Sequence, residues 1–141
     1  MRVLGLDVGD RRIGVALSDS LGLTAQRLTV LARQSLPEDV TAVAALVQQH
    51  GVELVVIGLP LTLRGTQGPQ AQKVSRFSAA LEGGLPVPVR LIDERLTTVE
   101  GTRMLMETHS PKRKRKQMID QVAAQLILQQ FLERRRDPGH P

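Results

Sequence analysis

The stretch MRVLGLDVGDRRIGVALSD, residues 1–19, contains two β-prone runs joined by a short turn, and the first of these runs ends on a charged side chain. Val3, Leu4 and Leu6 are typical of a buried β-strand, and the run stops at Asp7. A buried carboxylate is costly unless something pairs with it. Asp7 is therefore the first candidate functional residue.

The N-terminal third of the chain predicts a β-meander. Three short β-prone runs, Val3–Asp7, Ile13–Ser18 and Thr24–Leu31, are separated by Gly9-Asp10 and by Asp19-Ser20-Leu21-Gly22. Three antiparallel strands are the simplest interpretation. We interpret Asp10 and Asp19 as turn residues.

The rest of the chain alternates helices and strands, which predicts crossover units after the meander. The expected elements are a helix from Pro37 to Gly51, a central strand over residues 52–58, a helix from Ala71 to Leu81, an edge strand over residues 87–93, a helix from the capping box Thr97/Glu100 to His109, and a last helix from Lys116 to Arg135. The prediction is an α/β fold with a five-stranded mixed sheet, an antiparallel meander plus two parallel strands, and helices on both faces. We expect one domain over residues 1–136 and a disordered tail over residues 137–141.

Composition narrows the class of partner. The formal charge of +5 and a pI near 10.7 indicate an anionic partner, with nucleic acid favoured over an anionic membrane surface. With no Cys and three scattered His, a bound metal would be held by oxygen, which favours Mg²⁺ or Mn²⁺. Without Trp or Tyr, contacts to nucleic acid would be mainly through phosphates. No apolar run approaches a membrane span, so we expect a cytoplasmic protein.

Acidic residues fall where an α/β sheet gathers its functional groups, at the carboxyl ends of strands. Asp7 ends the first strand, Asp93-Glu94 ends the fifth, and Asp120 lies on the rim of the apolar stripe of the last helix, beside Ala123 and Ala124. Small alanines would let this helix approach the sheet. We prefer Glu94 to Asp93, although strand alternation could reverse that choice.

Converging carboxylates would repel one another unless divalent cations neutralised them, and two such ions could support phosphodiester cleavage. The competing interpretation is that each acid caps a helix or pairs with Arg11, Arg12 or Arg95. For any single acid that ordinary role is the more common one.

The segment PKRKRK, residues 111–116, places five cations just ahead of the predicted last helix. Positive charge is unfavourable at a helix N-terminus, so helix electrostatics do not explain the run. The run is either a solvated segment or a set of side chains that bind phosphate groups. The candidate nucleic-acid contacts are Arg11, Arg12, Arg64, Arg95, Lys112, Arg113, Lys114, Arg115 and Lys116.

Four motifs together resemble the YqgF/RuvX family, whose members have an RNase H-like fold similar to that of RuvC resolvases. They are LDVGDRRIGVALSD, GLPLTLRGTQGPQA, DERLTT and IDQVAAQLILQQFL, and they span almost the whole chain in order. The resemblance implies a metal-dependent nuclease, described either as maturing the 5′ end of pre-16S rRNA or as resolving Holliday junctions. By motif, Asp7, Glu94 and Asp120 correspond to the family's acidic site.

The resemblance also implies structured RNA or branched DNA as the partner, with the protein a monomer or a weak homodimer. Two other classes remain open at this point. One is a non-catalytic binder of structured nucleic acid, which the presence of all three acids disfavours. The other is an actin-like ATPase, since DVGDRRIG resembles the first phosphate motif of that superfamily, but such enzymes clasp a nucleotide between two domains.

Overall fold

In the computed structural model, residues 1–62, 64–94 and 112–136 are described, and in the last helix the side chains are described from residue 118. The elements are β1 (Arg2–Val8), β2 (Arg12–Ser18), β3 (Ala25–Ala32), α1 (Leu36–His50), β4 (Val52–Leu59), α2 (Pro69–Gly84), β5 (Val89–Asp93) and α3 (Lys112–Arg136). The predicted helix over residues 97–109 and the predicted disordered tail lie outside the described residues.

One mixed sheet of five strands has the order β3-β2-β1-β4-β5. The first three strands pair antiparallel, and β4 and β5 continue the sheet in parallel with β1. The predicted meander and mixed sheet are confirmed, as is the edge position of the fifth strand. Because β1, β4 and β5 run in parallel, their carboxyl ends meet at the same edge of the sheet.

Helices cover both faces of the sheet. On one face, α1 and α2 pack through Val43, Val47, Val74, Phe77 and Leu81 onto the apolar side chains of β1, β2 and β4. On the other face, α3 packs through Ala124, Leu128, Phe131 and Leu132 onto Val3, Ala16, Leu54 and Val56. The continuously apolar β4 is thus buried on both sides, as its sequence predicts.

The ends of α1 follow local sequence signals. The Ser35 hydroxyl accepts a hydrogen bond from the Glu38 backbone N–H at 3.2 Å, which caps the helix N-terminus. Gly51 ends the helix at φ 62°, in the left-handed region that glycine adopts without strain. The predicted stop at Gly51 is confirmed.

Three boundaries differ from the prediction. The fifth strand starts at Val89 rather than at residue 87, because Pro88 has no N–H and offers only its carbonyl, which accepts from the Val55 N–H at 3.0 Å. Helix α2 begins at Pro69 and includes Gly83 and Gly84, where the prediction ended it earlier. A Cβ on Gly84 would lie 2.6 Å from Val40 Cγ1, so glycine permits close packing of α2 on α1 there.

The third difference concerns the basic run. The last helix begins at Lys112, so residues 112–116 form its first turns instead of preceding it. Lys and Arg are good helix formers, which accounts for the helical backbone despite the unfavourable dipole.

No helix in the described ranges combines the length and apolarity that crossing a bilayer requires.

Candidate active site

The structure places Asp7 on the face of the sheet that α3 covers. Side chains alternate along a strand, so Val3, Gly5 and Asp7 share one face, and Val3 belongs to the core beneath α3. The Asp7 residue is only 6% exposed. This carboxylate therefore lies between the sheet and the last helix, near the carboxyl end of β1.

Asp120 reaches the same place because β2 carries a glycine opposite Asp7. Gly14 pairs with Asp7 in the β1–β2 register. A Cβ on Gly14 would overlap the backbone carbonyl of Asp120 and lie 3.0 Å from the Asp120 Cβ. The missing side chain brings α3 against the sheet at Asp120, and the buried Ala123 and Ala124 continue that close approach.

Glu94 follows β5, and its backbone N–H donates to the Leu59 carbonyl at 3.1 Å. Ile92, two residues earlier, packs against the core beneath α3, so Glu94 continues the same side of the strand. A Cβ on Gly58 would overlap the Glu94 carboxylate. The glycine thus leaves the space that the Glu94 side chain fills.

These three carboxylates line one cleft of about 530 Å³ at the carboxyl edge of the sheet. Its wall also includes Asp10 and Gln70, together with Val8, Gly9, Gly58 and Pro60. Asp93, the other acid considered for the end of β5, is not among the residues that line it. The structure therefore brings Asp7, Glu94 and Asp120 from three separate elements into one cavity.

Asp120 also forms an ion pair within the site. The Arg12 Nε donates to Asp120 Oδ2 at 2.8 Å, and the two side chains are 28% and 17% exposed. Pairing with a nearby arginine was the alternative role considered for each acid, and for Asp120 that pairing is present.

The donor chemistry of the cleft suits a hard divalent cation, since carboxylate oxygens are the ligands that Mg²⁺ and Mn²⁺ prefer. Within residues 1–62, 64–94 and 112–136, however, no three acidic or histidine side chains are placed closely enough to hold one ion together. Asp7, Glu94 and Asp120 stay the candidate metal ligands of the prediction, but in this arrangement the three carboxylates do not surround a single ion, and Asp120 also pairs with Arg12.

Of the predicted nucleic-acid contacts, the structure describes three side chains. Arg11 is exposed in the β1–β2 turn, Arg12 is half-buried against Asp120, and Arg64 is exposed in the loop before α2. Arg95 lies outside the described residues, and for residues 112–116 the backbone alone is described. For all of these a role in binding nucleic acid stays a prediction.

The two aspartates assigned to turns have different surroundings. Asp19 Oδ1 accepts from the N–H groups of Thr24 at 2.9 Å and Leu23 at 2.7 Å, and these bonds lower the pKa of Asp19 below its usual value. Its assignment as a turn residue is confirmed. Asp10 lies in the β1–β2 turn but also pairs with Lys73 on α2 at 3.1 Å and faces the cleft.

Sequence reasoning missed three residues that support the cleft. The Gln70 side chain donates to the Val8 carbonyl at 3.4 Å. The Arg33 guanidinium donates to the Gly9 carbonyl at 2.7 Å and pairs with the buried Asp39 at 2.8 Å. The signal for Gln70 was its place in the GPQA segment at the start of α2, whereas no local pattern indicates that Arg33 and Asp39 support the turn after β1.

Solved structures define the class of fold first. The chain superposes on Thermus thermophilus RuvC in complex with Holliday junction substrate with a TM-score of 0.60 and 18% identity, covering 96% of both chains. Fowlpox virus resolvase in complex with Holliday junction DNA gives a TM-score of 0.52 and 11% identity, over 94% of this chain and 97% of that one. The fold is RNase H-like, of the RuvC type, as the sequence motifs predict.

Sequence comparison then gives the family. Residues 1–134 match the family model described as RuvX, Holliday junction resolvase, and the chain belongs to this family. A relative from Moorella thermoacetica, named "Putative pre-16S rRNA nuclease", is 51% identical over 134 residues, which is 95% of this chain and 96% of the relative. A relative of the same name from Syntrophus aciditrophicus is 52% identical over 133 residues, 94% of this chain and 89% of the relative.

Proposed function

We propose that this chain is a divalent-metal-dependent nuclease that hydrolyses phosphodiester bonds in structured nucleic acid. The observation that carries the proposal is the convergence of Asp7, Glu94 and Asp120 in one cleft of a RuvC-type fold. Three acids from three elements need two glycines, Gly14 and Gly58, to reach that cleft. Such an arrangement is costly for stability alone, because like charges repel.

In the proposed reaction Asp7, Glu94 and Asp120 would hold a pair of Mg²⁺ or Mn²⁺ ions between them, because the three carboxylates do not surround a single ion. A bound metal supplies an activated water and neutralises charge on the leaving oxygen. Asp7 lies near the end of β1 and Glu94 directly follows β5, so the backbone that carries each carboxylate is in place before substrate arrives. Arg12 holds the Asp120 carboxylate in position and offsets part of the negative charge of the cleft.

The physiological substrate that we propose is the 5′ end of pre-16S rRNA. Its support is the name shared by relatives about half identical to this chain over nearly their whole length. A cytoplasmic location follows from that substrate and is part of the same proposal.

A second candidate substrate is the Holliday junction, which the family description favours. Resolution by paired symmetrical nicks requires two active sites and therefore a dimer on the junction. A monomeric or weakly dimeric protein fits RNA trimming without that requirement.

The test offers equal amounts of a four-way DNA junction and a 5′-extended 16S precursor RNA to the wild-type protein and to the Asp7→Asn variant. Trimming of the RNA by the wild type alone supports maturation of pre-16S rRNA. Paired symmetrical nicks in the junction, with intact RNA, would replace it by the resolvase function. Binding of both substrates without cleavage in Mg²⁺ or Mn²⁺ would favour a non-catalytic binder.

A further inference from the structure

A second cavity lies next to the acidic cleft and has the opposite charge. It measures about 280 Å³ and shares Val8, Asp10 and Gln70 with the cleft. The rest of its wall consists of Arg33, Leu36, Lys73, Arg76 and Phe77. Its three cations, set against Asp10 and against Asp39, which pairs with Arg33, leave one net positive charge, whereas the cleft beside it collects four acidic side chains.

Arg33 is a preorganised part of this wall. Its guanidinium pairs with Asp39, which is 3% exposed, donates to the Gly9 carbonyl, and lies 5.1 Å from the centroid of the Phe77 ring. These contacts hold the side chain in one place, and the Asp39 carboxylate balances its charge. An anion that enters the cavity therefore meets an Arg33 side chain that is already ordered.

Lys73 and Arg76 are the cations with donors to spare. They lie three residues apart on α2, so they project from neighbouring positions of one helix face. Arg76 is exposed and forms no ion pair within the described ranges. Lys73 pairs with Asp10, but both side chains are more than half exposed, at 56% and 64%. An exposed pair of this kind contributes at most about 1 kcal/mol, so an incoming anion can displace it.

We propose that this cavity binds a backbone phosphate of the substrate strand adjacent to the acidic cleft, with Lys73 and Arg76 as the direct contacts. The inference rests on the proposed function, since it places part of the nuclease's substrate. A polyanion is repelled by a cleft of carboxylates, and a cationic site beside that cleft holds the strand in register while one phosphate enters it. The cavity, at about 280 Å³, has room for a phosphate group and several waters, because one water takes up roughly 30 Å³.

The primary test compares Lys73→Gln/Arg76→Gln with a matched control, Arg27→Gln/Arg90→Gln. Both double variants remove two positive charges from exposed positions, but Arg27 and Arg90 line neither cavity. Binding of the four-way junction and of the precursor RNA is measured against salt in an Asp7→Asn background, where the substrate stays intact. Melting temperatures verify that each variant is folded.

The expected result is a smaller slope of log affinity against log salt, by roughly 0.7–0.9 for each lost phosphate contact, in the Lys73/Arg76 variant only. Equal slopes in the two double variants would overturn the proposal, because the effect would then be one of overall charge.

A second measurement locates the phosphate. Uncharged methylphosphonate linkages are placed one at a time along the substrate strand. A linkage that weakens binding severalfold in the Asp7→Asn protein, but not when Lys73 and Arg76 are also replaced, is the phosphate held by the cavity. If every linkage weakens both proteins equally, the cavity does not bind the strand.

The two proposals can fail separately. Cleavage by the wild type together with a control-like slope would remove the phosphate site and leave the nuclease. Absence of cleavage together with a specific slope change would remove the nuclease and leave a phosphate site on a nucleic-acid-binding protein. A protein that binds neither substrate would overturn both.

Discussion

Arg12 and Asp120 join the second strand to the last helix through a bond of 2.8 Å between Nε and Oδ2, across 108 residues of sequence. Asp120 is thereby a cleft carboxylate whose charge is already partly balanced. A bound metal would have to share that carboxylate with a guanidinium. The ion pair therefore couples the stability of the α3 contact to the affinity of the proposed metal site.

Replacing Arg12 with Gln should lower the Mg²⁺ concentration that half-saturates cleavage several-fold, because a competing cation is removed. Stability should fall by about 1 kcal/mol, since the pair is only partly buried. The measurement is a metal titration at saturating substrate. Arg11→Gln is the matched control, since it loses the same charge from an exposed neighbour. A half-saturating concentration that does not fall below that of the control would contradict the competition.

Replacing Asp7 with Asn should reduce cleavage at least about a hundredfold, because a nearly isosteric amide is a poorer ligand for a divalent cation. Stability should stay level or rise as repulsion within the cleft is relieved. Cleavage rates in Mg²⁺ and Mn²⁺, together with thermal melts, check both parts. Undiminished cleavage by the wild type in excess chelator would remove the metal from the mechanism.

Gly58→Ala should reduce activity because the added methyl group occupies the space of the Glu94 carboxylate and would lie 2.5 Å from Ile127 Cδ1. Overpacking of this kind costs about 1–3 kcal/mol. Gly83→Ala is the matched control: its Cβ would meet nothing within 4 Å, and it lies within α2. That control should gain about 0.4–1 kcal/mol and retain activity. Equal activities of the two variants would show that the position of Glu94 is unimportant.

Asp39→Asn should destabilise the fold by about 2 kcal/mol, less than a fully buried pair, because Arg33 is 24% exposed and can be partly solvated. Asp10→Asn serves as the comparison, since it breaks the exposed pair with Lys73 and should cost less than about 1 kcal/mol. Denaturant unfolding of both variants measures the difference. Similar losses would mean that burial of Asp39 does not strengthen its pair.

Neutralising the basic run, residues 112–116, should weaken binding of branched DNA and structured RNA alike and flatten the salt dependence of both. Phosphate contacts are independent of base sequence and release counterions, which produces this signature. Binding should fall more than turnover at saturating substrate. A slope unaffected by the substitutions would mean that the run is merely a solvated segment.

Local sequence determined the elements of this protein and the residue types of its candidate site. Alternation and turn residues predicted the meander, the apolar run of β4 predicted a strand buried on both faces, and Gly51 marked the end of α1. These features depend on neighbours a few residues away, so they can be recognised from the sequence. The positions of Asp7 and Glu94 at the ends of strands could be predicted for the same reason.

Tertiary structure decided what depends on contacts between distant segments. Gly14 and Gly58 are unremarkable in the sequence, and their purpose emerges only where Asp120 and Glu94 fill the space beside them. The pairing of Arg12 with Asp120, and the cavity that gathers Arg33 with two cations of α2, likewise join residues from separate elements. The periodicity of apolar residues predicts which face of an element a side chain occupies. It does not predict which residue packs against that side chain, because this contact depends on how the helices pack on the sheet.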